Sequence, residues 1–210
     1  NKKLDSYYNS FGINENVIAY RALGRANYDF AAEAMDFARK EAPVRILAFD
    51  ITSFFDTLDH SLLKKRLKKI LNVCELPEDW YKVFRFITDF HYIELDELKA
   101  HPVFSLRLKE KKQNRIASIE ELKEAGVIIH ANPELSKGYR RGIPQGTPIS
   151  AAASNLYMME FDIEARRVCD QVGAFYRRYS DDILVICKPD VSPMIEAEIM
   201  RLILNEKLEI

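Results

Sequence analysis

The stretch that decides the fold is RRYSDDILVI, Arg177–Ile186. Phe175 and Tyr176 precede this stretch and Ile183–Ile186 follow the acidic pair Asp181-Asp182, a pattern typical of two strands joined by a tight turn. Two adjacent carboxylates repel each other, so the pair is either a solvated turn or a site that binds cations. Aspartate is a frequent turn residue for its own hydrogen-bonding reasons, so YSDD alone does not distinguish these two interpretations.

The composition is that of a folded globular protein of one domain or a domain and a half. The 210 residues are 48% hydrophobic and 30% charged, and the net charge is −1. This near-neutral balance excludes a global field that attracts nucleic acid. We see no secretory leader and no apolar run that would span a membrane. Cys74, Cys169 and Cys187 lack metal-site spacing and are predicted to be reduced core residues of a cytoplasmic protein.

Positive charges are concentrated in runs that acidic stretches elsewhere cancel in the total. Each run is a solvated face in the simplest interpretation, and for helix residues such as Lys64 and Lys68 contact with nucleic-acid phosphate is the alternative. The runs are Lys64, Lys65, Arg66, Lys68 and Lys69; Arg107, Lys109, Lys111, Lys112 and Arg115; and Lys137, Arg140, Arg141, Arg177 and Arg178.

Local signals predict a strand followed by helices in the first part of the chain. A helix capped by Asp29 is expected to run to about Lys40, and a buried strand over Val44–Phe49 then delivers Asp50 at its end. Asp59 is a candidate N-cap for the next helix. Further signals are a helix after Pro77, a capping box at Ser118 and Glu121, and a helix stop at Gly126.

The last third of the chain predicts a helix, a hairpin and a final helix. Pro148, directly after Thr147, can open a long helix that ends near Gly173, and the last helix is expected from about Pro193. This order of elements predicts an α+β fold in which helices pack on one face of an antiparallel sheet.

Asp50 and the pair Asp181-Asp182 are predicted to meet at one edge of this sheet. Three clustered carboxylates without cations would be strongly self-repelling. Hard oxygen ligands favour Mg²⁺, with Mn²⁺ as the alternative, and two such ions about 3.5–4 Å apart suit displacement at phosphorus.

Three segments in this order resemble motifs A, B and C of the palm domain of reverse transcriptases. They are FDITSFFD at Phe49–Asp56, RGIPQGTPIS at Arg141–Ser150, and RRYSDDILVI. The resemblance extends from about Asn16 to Ile210. It implies a polymerase palm, an antiparallel sheet backed by helices, with a helical fingers region and a long insertion between motifs A and B.

The resemblance also implies the catalytic metal ligands. Asp50, Asp181 and Asp182 match the aspartates that hold two Mg²⁺ ions in the family, and the main-chain carbonyl of Ile51 matches a further ligand. Tyr179 matches the tyrosine that lies near the primer end.

Further residues match positions that the family uses to bind the nucleotide. Phe55 falls at the aromatic steric gate that excludes a ribose 2′-hydroxyl; the alternative is a plain core phenylalanine. Gln145 and Gly146 match the lining of the nucleotide and template pocket, and a generic glycine-proline turn is the alternative. Arg21 and Arg25 are candidate triphosphate contacts in a fingers-like segment, with ordinary surface arginines as the alternative.

The resemblance divides the chain into four parts. Residues 1–42 are fingers-like, 43–60 carry motif A, 61–138 form a helical insertion, and 139–210 carry motifs B and C with the following helix. The thumb of the family is expected to be missing. The wording of the motif B segment and the long insertion resemble bacterial enzymes (retrons, group II intron maturases and phage-defence polymerases) more than retroviral ones.

The implied function is that of an RNA-directed DNA polymerase that adds dNTPs to the 3′-hydroxyl of a DNA or RNA primer on an RNA template. A cognate non-coding RNA or a defence partner protein is an additional expected partner. Two alternatives stay open at this point: a template-independent or protein-primed DNA polymerase of phage defence, and a non-catalytic palm that binds nucleic acid.

Overall fold

The structure, a computed structural model, describes residues 2–110 and 115–210. Lys111 and Lys112 of the second basic run lie outside the described residues. The helices are α1 (Lys2–Ser10), α2 (Asn27–Lys40), α3 (Phe54–Thr57), α4 (His60–Leu71), α5 (Glu78–Thr88), α6 (Leu95–Ala100), α7 (Pro102–Glu110), α8 (Ile119–Glu124), α9 (Pro133–Ser136), α10 (Pro148–Tyr157), α11 (Met159–Gln171) and α12 (Ser192–Asn205). The strands are β1 (Arg45–Asp50), β2 (His91–Tyr92), β3 (His130–Ala131), β4 (Phe175–Tyr179) and β5 (Asp182–Cys187).

The main sheet is antiparallel, with strand order β1-β5-β4. β4 and β5 form the predicted hairpin, and β5 lies in the centre because β1 pairs with its other edge. A separate small sheet in the insertion pairs β2 with β3. The predicted α+β fold with an antiparallel sheet backed by helices is confirmed.

The two faces of the main sheet are covered differently. On one face α11 packs against β4 and α12 packs against β1, and this side holds the hydrophobic core. On the other face α2 lies over β4, where the Phe37 and Phe175 rings are 5.4 Å apart. Helices therefore occupy both faces, whereas the sequence predicted helices on only one. The α2 helix does not cover β1, so the face of β1 that points away from the hydrophobic core is open.

Most of β1 is exposed and only Phe49 in it is buried, so the prediction of a buried strand was wrong. Phe49 faces the core and is buried, whereas Ile46 on the opposite face is 56% exposed. The prediction rested on the mostly apolar run of this strand, but α2 covers β4 on the face that carries Ile46 and does not extend over β1. The outer side of β1 therefore stays open to solvent.

Most predicted helix starts are confirmed, because capping depends on local sequence. Asp59 accepts a hydrogen bond from the Leu62 backbone N–H at 2.8 Å and caps α4. Ser118 and Thr147 are the N-caps of α8 and α10. Asp29 was predicted to be the N-cap of α2, but the helix begins earlier, at Asn27. The Asp29 carboxylate instead accepts a hydrogen bond from the backbone N–H of Ala26, the residue before the helix.

The long helix expected from Pro148 to about Gly173 is divided into α10 and α11 at Met158. Met158 has φ −82° and ψ 0°, outside the α-helical region. The segment contains no glycine or proline near this point, so the sequence has no ordinary signal for the break.

Three arginines of the basic runs are buried and do not belong to solvated faces. Arg66 is buried against Glu206, with its Nη2 at 2.6 Å from the carboxylate. Arg177 and Arg178 are buried in β4. The arginines differ from the neighbouring lysines because a guanidinium can make several directed hydrogen bonds in a protein interior.

The cysteines agree in part with the prediction of reduced core residues. All three are free thiols, and Cys169 and Cys187 are buried, whereas Cys74 is exposed and is not part of the core. Burial raises the pKa of the Cys169 thiol to about 12, which keeps it protonated and inert at neutral pH. In the part of the chain that the structure describes, no helix has the length and apolar character needed to cross a bilayer.

Candidate active site

Asp50 and Asp182 lie directly opposite each other on neighbouring antiparallel strands. Asp50 is the last residue of β1, Asp182 is the first residue of β5, and the two are Cα partners in the register. Directly opposed residues in an antiparallel pair project to the same face of the sheet. The sequence predicted that the two segments meet at a sheet edge, and this backbone register confirms that part of the prediction.

The hairpin turn consists of Ser180 and Asp181, so Asp181 precedes β5 immediately. Ser180 has φ 59°, in the left-handed region, and is buried. Its Oγ lies 3.2 Å from the hydroxyl of Tyr20, which links the N-terminal segment to the turn. Tyr179 pairs with Asp182 across the hairpin and is 39% exposed, so its ring is accessible beside the aspartates.

Asp182 is affected electrostatically by the two other aspartates. Burial, followed by the negative charges of Asp181 and Asp50, raises the pKa of Asp182 above its usual value of 3.8. Carboxylate oxygens that repel each other in this way are donors that suit hard divalent cations. Within residues 2–110 and 115–210, however, no three His, Cys, Asp or Glu side chains are arranged as a group that could hold a metal ion. The predicted metal site therefore stays a prediction.

A fully buried ion pair supports the turn from behind. The Arg178 guanidinium donates to both carboxylate oxygens of Asp162 on α11, at 2.7 and 2.8 Å, and neither side chain is exposed. A third guanidinium hydrogen bond goes to the backbone carbonyl of Ser180 at 2.7 Å. Burial would lower the pKa of Arg178, but the Asp162 charge outweighs it and keeps the pKa raised. The carbonyl of the turn is thus held by a permanently charged donor.

The same network ties the turn to the helix that follows motif B and to the N-terminal segment. Arg178 Nη2 donates to Asn155 on α10 at 3.2 Å, and the Asn155 amide donates to the Ala19 carbonyl at 2.9 Å. The backbone N–H of Arg178 donates to the Asn16 carbonyl at 2.7 Å. Motif C therefore rests on two other parts of the chain that are distant in sequence.

The motif B turn is bonded to the motif A segment through backbone atoms. The Gly142 N–H donates to the Leu58 carbonyl at 2.9 Å, and the Ile143 N–H donates to the Phe55 carbonyl at 2.8 Å. His60 Nε2 lies 2.7 Å from the Gly142 carbonyl. The acceptor Phe55 is only five residues after Asp50. These hydrogen bonds therefore fix the position of the GIPQG turn relative to the sheet edge that carries Asp50.

Gly142 occupies a position that requires glycine. Its φ is 91°, and a Cβ there would lie 3.0 Å from the Asp56 carbonyl oxygen and 3.4 Å from Asn132 Oδ1. Gly146 also has a positive φ, 84°, but a Cβ there would meet no atom within 4 Å. The close approach of motifs A and B thus depends on Gly142.

The remaining candidates from motifs A and B differ in exposure. Ile51 and Phe55 are buried, and the Phe55 ring contacts that of Phe54 edge-to-face with centroids 5.4 Å apart. Gln145 and Gly146 are exposed in the turn before α10. The structure thus shows Phe55 mainly as a core side chain, and its predicted role as a steric gate stays a prediction.

Arg21 and Arg25 are both engaged within the protein. Arg21 donates to Asp5 at 2.9 Å and to the carbonyls of Asn14 and Val17, and its side chain is only 5% exposed. A triphosphate contact by Arg21 would require these bonds to break.

Arg25 is more accessible than Arg21. It pairs with Glu15 and Glu33, and its guanidinium lies 4.3 Å from the centroid of the Phe30 ring. Its side chain is 28% exposed, so a limited rearrangement would free it. The predicted triphosphate contacts of both arginines stay predictions.

A cavity of about 300 Å³ lies between α2 and the face of the sheet that carries Asp182. Phe30, Arg177 and Tyr179 contribute to its walls, and Asp182 lies at its lining. The site therefore has an accessible volume next to one of the predicted metal ligands.

The sequence as a whole matches one family model, Reverse transcriptase (RNA-dependent DNA polymerase), over residues 7–207. The chain belongs to the reverse transcriptase family. No curated protein matches the sequence of this reverse transcriptase domain. The predicted family is thus confirmed, while its bacterial type stays a prediction.

Solved structures of telomerases share the fold of this reverse transcriptase domain. Apo telomerase from Candida tropicalis has a TM-score of 0.54 and 14% identity over 98% of this chain and 33% of that one. The same telomerase truncated from its C-terminal domain has a TM-score of 0.54 and 12% identity over 95% and 35%. Telomerase from Candida albicans in complex with a TWJ fragment of telomeric RNA has a TM-score of 0.50 and 15% identity over 96% and 31%. The domain thus spans about a third of the length of these proteins.

Sequence reasoning missed several residues that support the site. Asp162, Asn155, His60 and Tyr20 all bond to the motif B or motif C segments. One usable signal was present: Asn155 and Asp162 are seven residues apart, two helical turns, on an otherwise apolar side of the helical segment. Polar residues on a buried face need hydrogen-bond partners, and Arg178 is a basic residue near Asp162 in sequence that could serve as one.

Proposed function

We propose that this domain is the catalytic core of an RNA-directed DNA polymerase that adds deoxynucleotides to the 3′-hydroxyl of a primer. The observation that carries the proposal is the direct opposition of Asp50 and Asp182 in the sheet, with Asp181 adjacent in the turn. Family membership supports the same reaction class, nucleotidyl transfer. The division into fingers-like residues 1–42, motif A at 43–60, the insertion 61–138, and motifs B and C at 139–210 belongs to this proposal.

The chemistry of the donors fits divalent cations. Asp50, Asp181, Asp182 and the Ile51 carbonyl would hold two Mg²⁺ or Mn²⁺ ions, which would neutralise the triphosphate and lower the pKa of the primer hydroxyl. Burial, and after it the charges of Asp181 and Asp50, raises the pKa of Asp182, and a cation would relieve the second of these two effects.

The domain's own residues would mainly position the substrates, since phosphoryl transfer requires little covalent chemistry from side chains. The Arg178 network holds the turn that carries Asp181. The exposed Gln145 and Gly146 would line the nucleotide and template pocket, and Tyr179 would contact the primer end. An RNA template, a primer and dNTPs are the partners in this proposal; a non-coding RNA, a defence partner and a cytoplasmic location are further inferences from the sequence.

Primer extension by the full-length protein on poly(rA) with an oligo(dT) primer, dTTP and Mg²⁺ tests this function. We expect Asp181→Asn to reduce extension by about 100-fold or more, because charge stabilisation at the phosphoryl group is lost. The melting temperature should not fall, since the substitution removes a repelling charge. Asp190→Asn, an exposed aspartate beyond β5, is the matched control and should retain activity.

The same assay separates the alternatives. Extension that persists without the RNA template would favour a template-independent or protein-primed polymerase. Full activity of Asp181→Asn would reject the metal-ligand assignment. A folded protein that shows no extension under any condition would favour the non-catalytic palm.

A further inference from the structure

A second cavity, of about 420 Å³, lies away from the aspartates, between α4, α5 and the segment that leads into motif B. None of Asp50, Asp181 and Asp182 lines it. Its volume is within the range of small-ligand sites. The lining side chains that matter here are His60, Lys64, Tyr81, Arg85, Asp89 and Arg140.

The cavity carries positive charge that the protein does not neutralise. Arg85 pairs with Asp89 at 2.6 Å, so these two charges cancel. Lys64 and Arg140 have no acidic partner within residues 2–110 and 115–210. Two uncompensated cations at a concave surface favour an anion, because the low-dielectric walls of a cleft focus the field.

Most lysines near this cavity are paired with carboxylates, on a chain with a net charge of −1; Lys65 on α4 also has no acidic partner among residues 2–110 and 115–210, but it does not line the cavity. Nearby basic side chains are matched by carboxylates within 2.6–3.1 Å: Lys68 with Glu75, Lys69 with Glu160, Lys82 with Glu78, and Lys137 with Glu134. The cavity is therefore a local site for an anion and not part of a uniformly basic surface.

An aromatic ring stands beside the unpaired cations. Tyr81 on α5 is 41% exposed, and the Lys64 ammonium lies over one face of its ring, 5.3 Å from the centroid, which leaves the opposite face for a base. An exposed aromatic face next to cations is the combination that binds a nucleobase and its phosphate in single-stranded nucleic acids. Stacking on a side chain requires an unpaired base, so a duplex does not fit this arrangement.

We propose that this cavity binds single-stranded RNA, with a phosphate held by Lys64 and Arg140 and the neighbouring base stacked on Tyr81. The choice of RNA over another polyanion rests on the proposed function. The unpaired charges of Lys64 and Arg140 and the exposed Tyr81 ring are observed independently of that function. His60, at the cavity wall, contacts the Gly142 carbonyl at 2.7 Å. A strand bound here would therefore lie against the backbone that supports the motif B turn.

Fluorescence anisotropy of a short labelled oligouridine with the full-length protein, in EDTA and without dNTPs, tests the proposal. We expect Lys64→Ala and Arg140→Ala each to weaken binding about three- to tenfold and to reduce the slope of log K against log salt by about 0.7. Tyr81→Ala should weaken binding about fivefold or more, whereas Tyr81→Phe should retain it because the ring remains.

Lys65→Ala is the matched control, because Lys65 is exposed on the same helix and does not line the cavity. It should change the affinity less than twofold. If Lys64→Ala and Arg140→Ala leave both the affinity and the salt slope at the wild-type values, the proposal is wrong. Displacement of the oligouridine by UMP at equal nucleotide concentration would show a mononucleotide site and would also overturn it.

The experiment separates this inference from the proposed function. Oligouridine binding that depends on Lys64, Arg140 and Tyr81 supports the cavity even if the protein fails to extend a primer. Active primer extension with binding that is insensitive to these three substitutions would reject the cavity and leave the polymerase assignment intact.

Discussion

Arg178 and Asp162 form an ion pair in which neither side chain is exposed, with Nε–Oδ1 and Nη2–Oδ2 distances of 2.7 and 2.8 Å. Arg178 also holds the Ser180 carbonyl at 2.7 Å. The turn that carries Asp181 therefore depends on a charge pair located behind the sheet. Removing one partner of such a pair leaves the other buried and uncompensated.

Asp162→Asn should lower the free energy of unfolding by about 3–5 kcal/mol, because the Arg178 charge loses its partner in the protein interior. Urea denaturation measures the change. Glu198→Gln in the exposed pair with Arg201 is the matched control and should cost about 1 kcal/mol or less. Equal losses in the two variants would show that burial does not decide the contribution of the Arg178 pair.

Phe55→Ala should lower the free energy of unfolding by about 3–5 kcal/mol, since the ring is buried in the core. If the ring also excludes a ribose 2′-hydroxyl, the ratio of ribonucleotide to deoxynucleotide incorporation should rise. Phe54→Ala is the matched control, because the two rings are neighbours and both are buried. An equal ratio in the two variants would mean that Phe55 only packs.

Gly142→Ala should destabilise the protein more than Gly146→Ala. Both glycines have a positive φ, so each substitution costs about 1–2 kcal/mol of backbone strain. Only at Gly142 does the new Cβ approach the Asp56 carbonyl, at 3.0 Å. The difference in unfolding free energy between the two variants measures that contact. A difference of zero would show that the motif A and motif B segments can move apart without cost.

His60 should make stability fall as the pH is lowered. Burial, assisted by the Arg140 charge, lowers its pKa below the usual 6.5, against the opposing effects of Asp59, Asp89 and the Gly142 carbonyl. As the pH falls through about 6.5, His60 is therefore protonated in the unfolded chain, whereas in the folded protein its imidazole is still neutral. The stability present above that pH is progressively lost as the pH falls toward the pKa of the folded state.

Denaturation at about pH 7.5 and about pH 5.5 checks this dependence. The wild type should lose more stability between the two values than His60→Gln, whose amide can still donate to the Gly142 carbonyl. His91→Gln, at an exposed histidine, should behave like the wild type. A wild-type loss equal to that of His60→Gln would contradict the assignment.

Several features of the fold could be predicted from sequence because they depend on neighbouring residues. The hairpin around Ser180-Asp181 follows from an aromatic-rich strand and an apolar strand that flank a polar pair. The caps at Asp59, Ser118 and Thr147 follow from side chains that reach backbone groups within three residues. The convergence of Asp50 with Asp181 and Asp182 at one sheet edge was predicted from strand-end and hairpin-tip placement, whereas the direct pairing of Asp50 with Asp182 is seen only in the structure.

Other features could not be predicted, because they depend on packing between distant segments. The helix break at Met158 has no local signal, and the exposure of Ile46 results from which neighbours β1 has. Arg21 was a candidate triphosphate contact with an ordinary surface arginine as the alternative, and nothing in the sequence indicated that its guanidinium bonds to Asp5 and to the carbonyl of Asn14. An arginine has the same local pattern in sequence whether it pairs inside the protein or faces a ligand.

The sequence by itself determined the family, through the order of its three motifs, and the hairpin and helix caps, since turn chemistry and capping are local properties. Only the tertiary structure decided which charges are available. Arg178 is enclosed by Asp162, Asn155 and the Ser180 carbonyl, whereas Lys64, on a helix rich in lysine, remains without an acidic partner among the described residues. Burial and ion pairing depend on residues that are far apart in sequence and meet only in the folded chain.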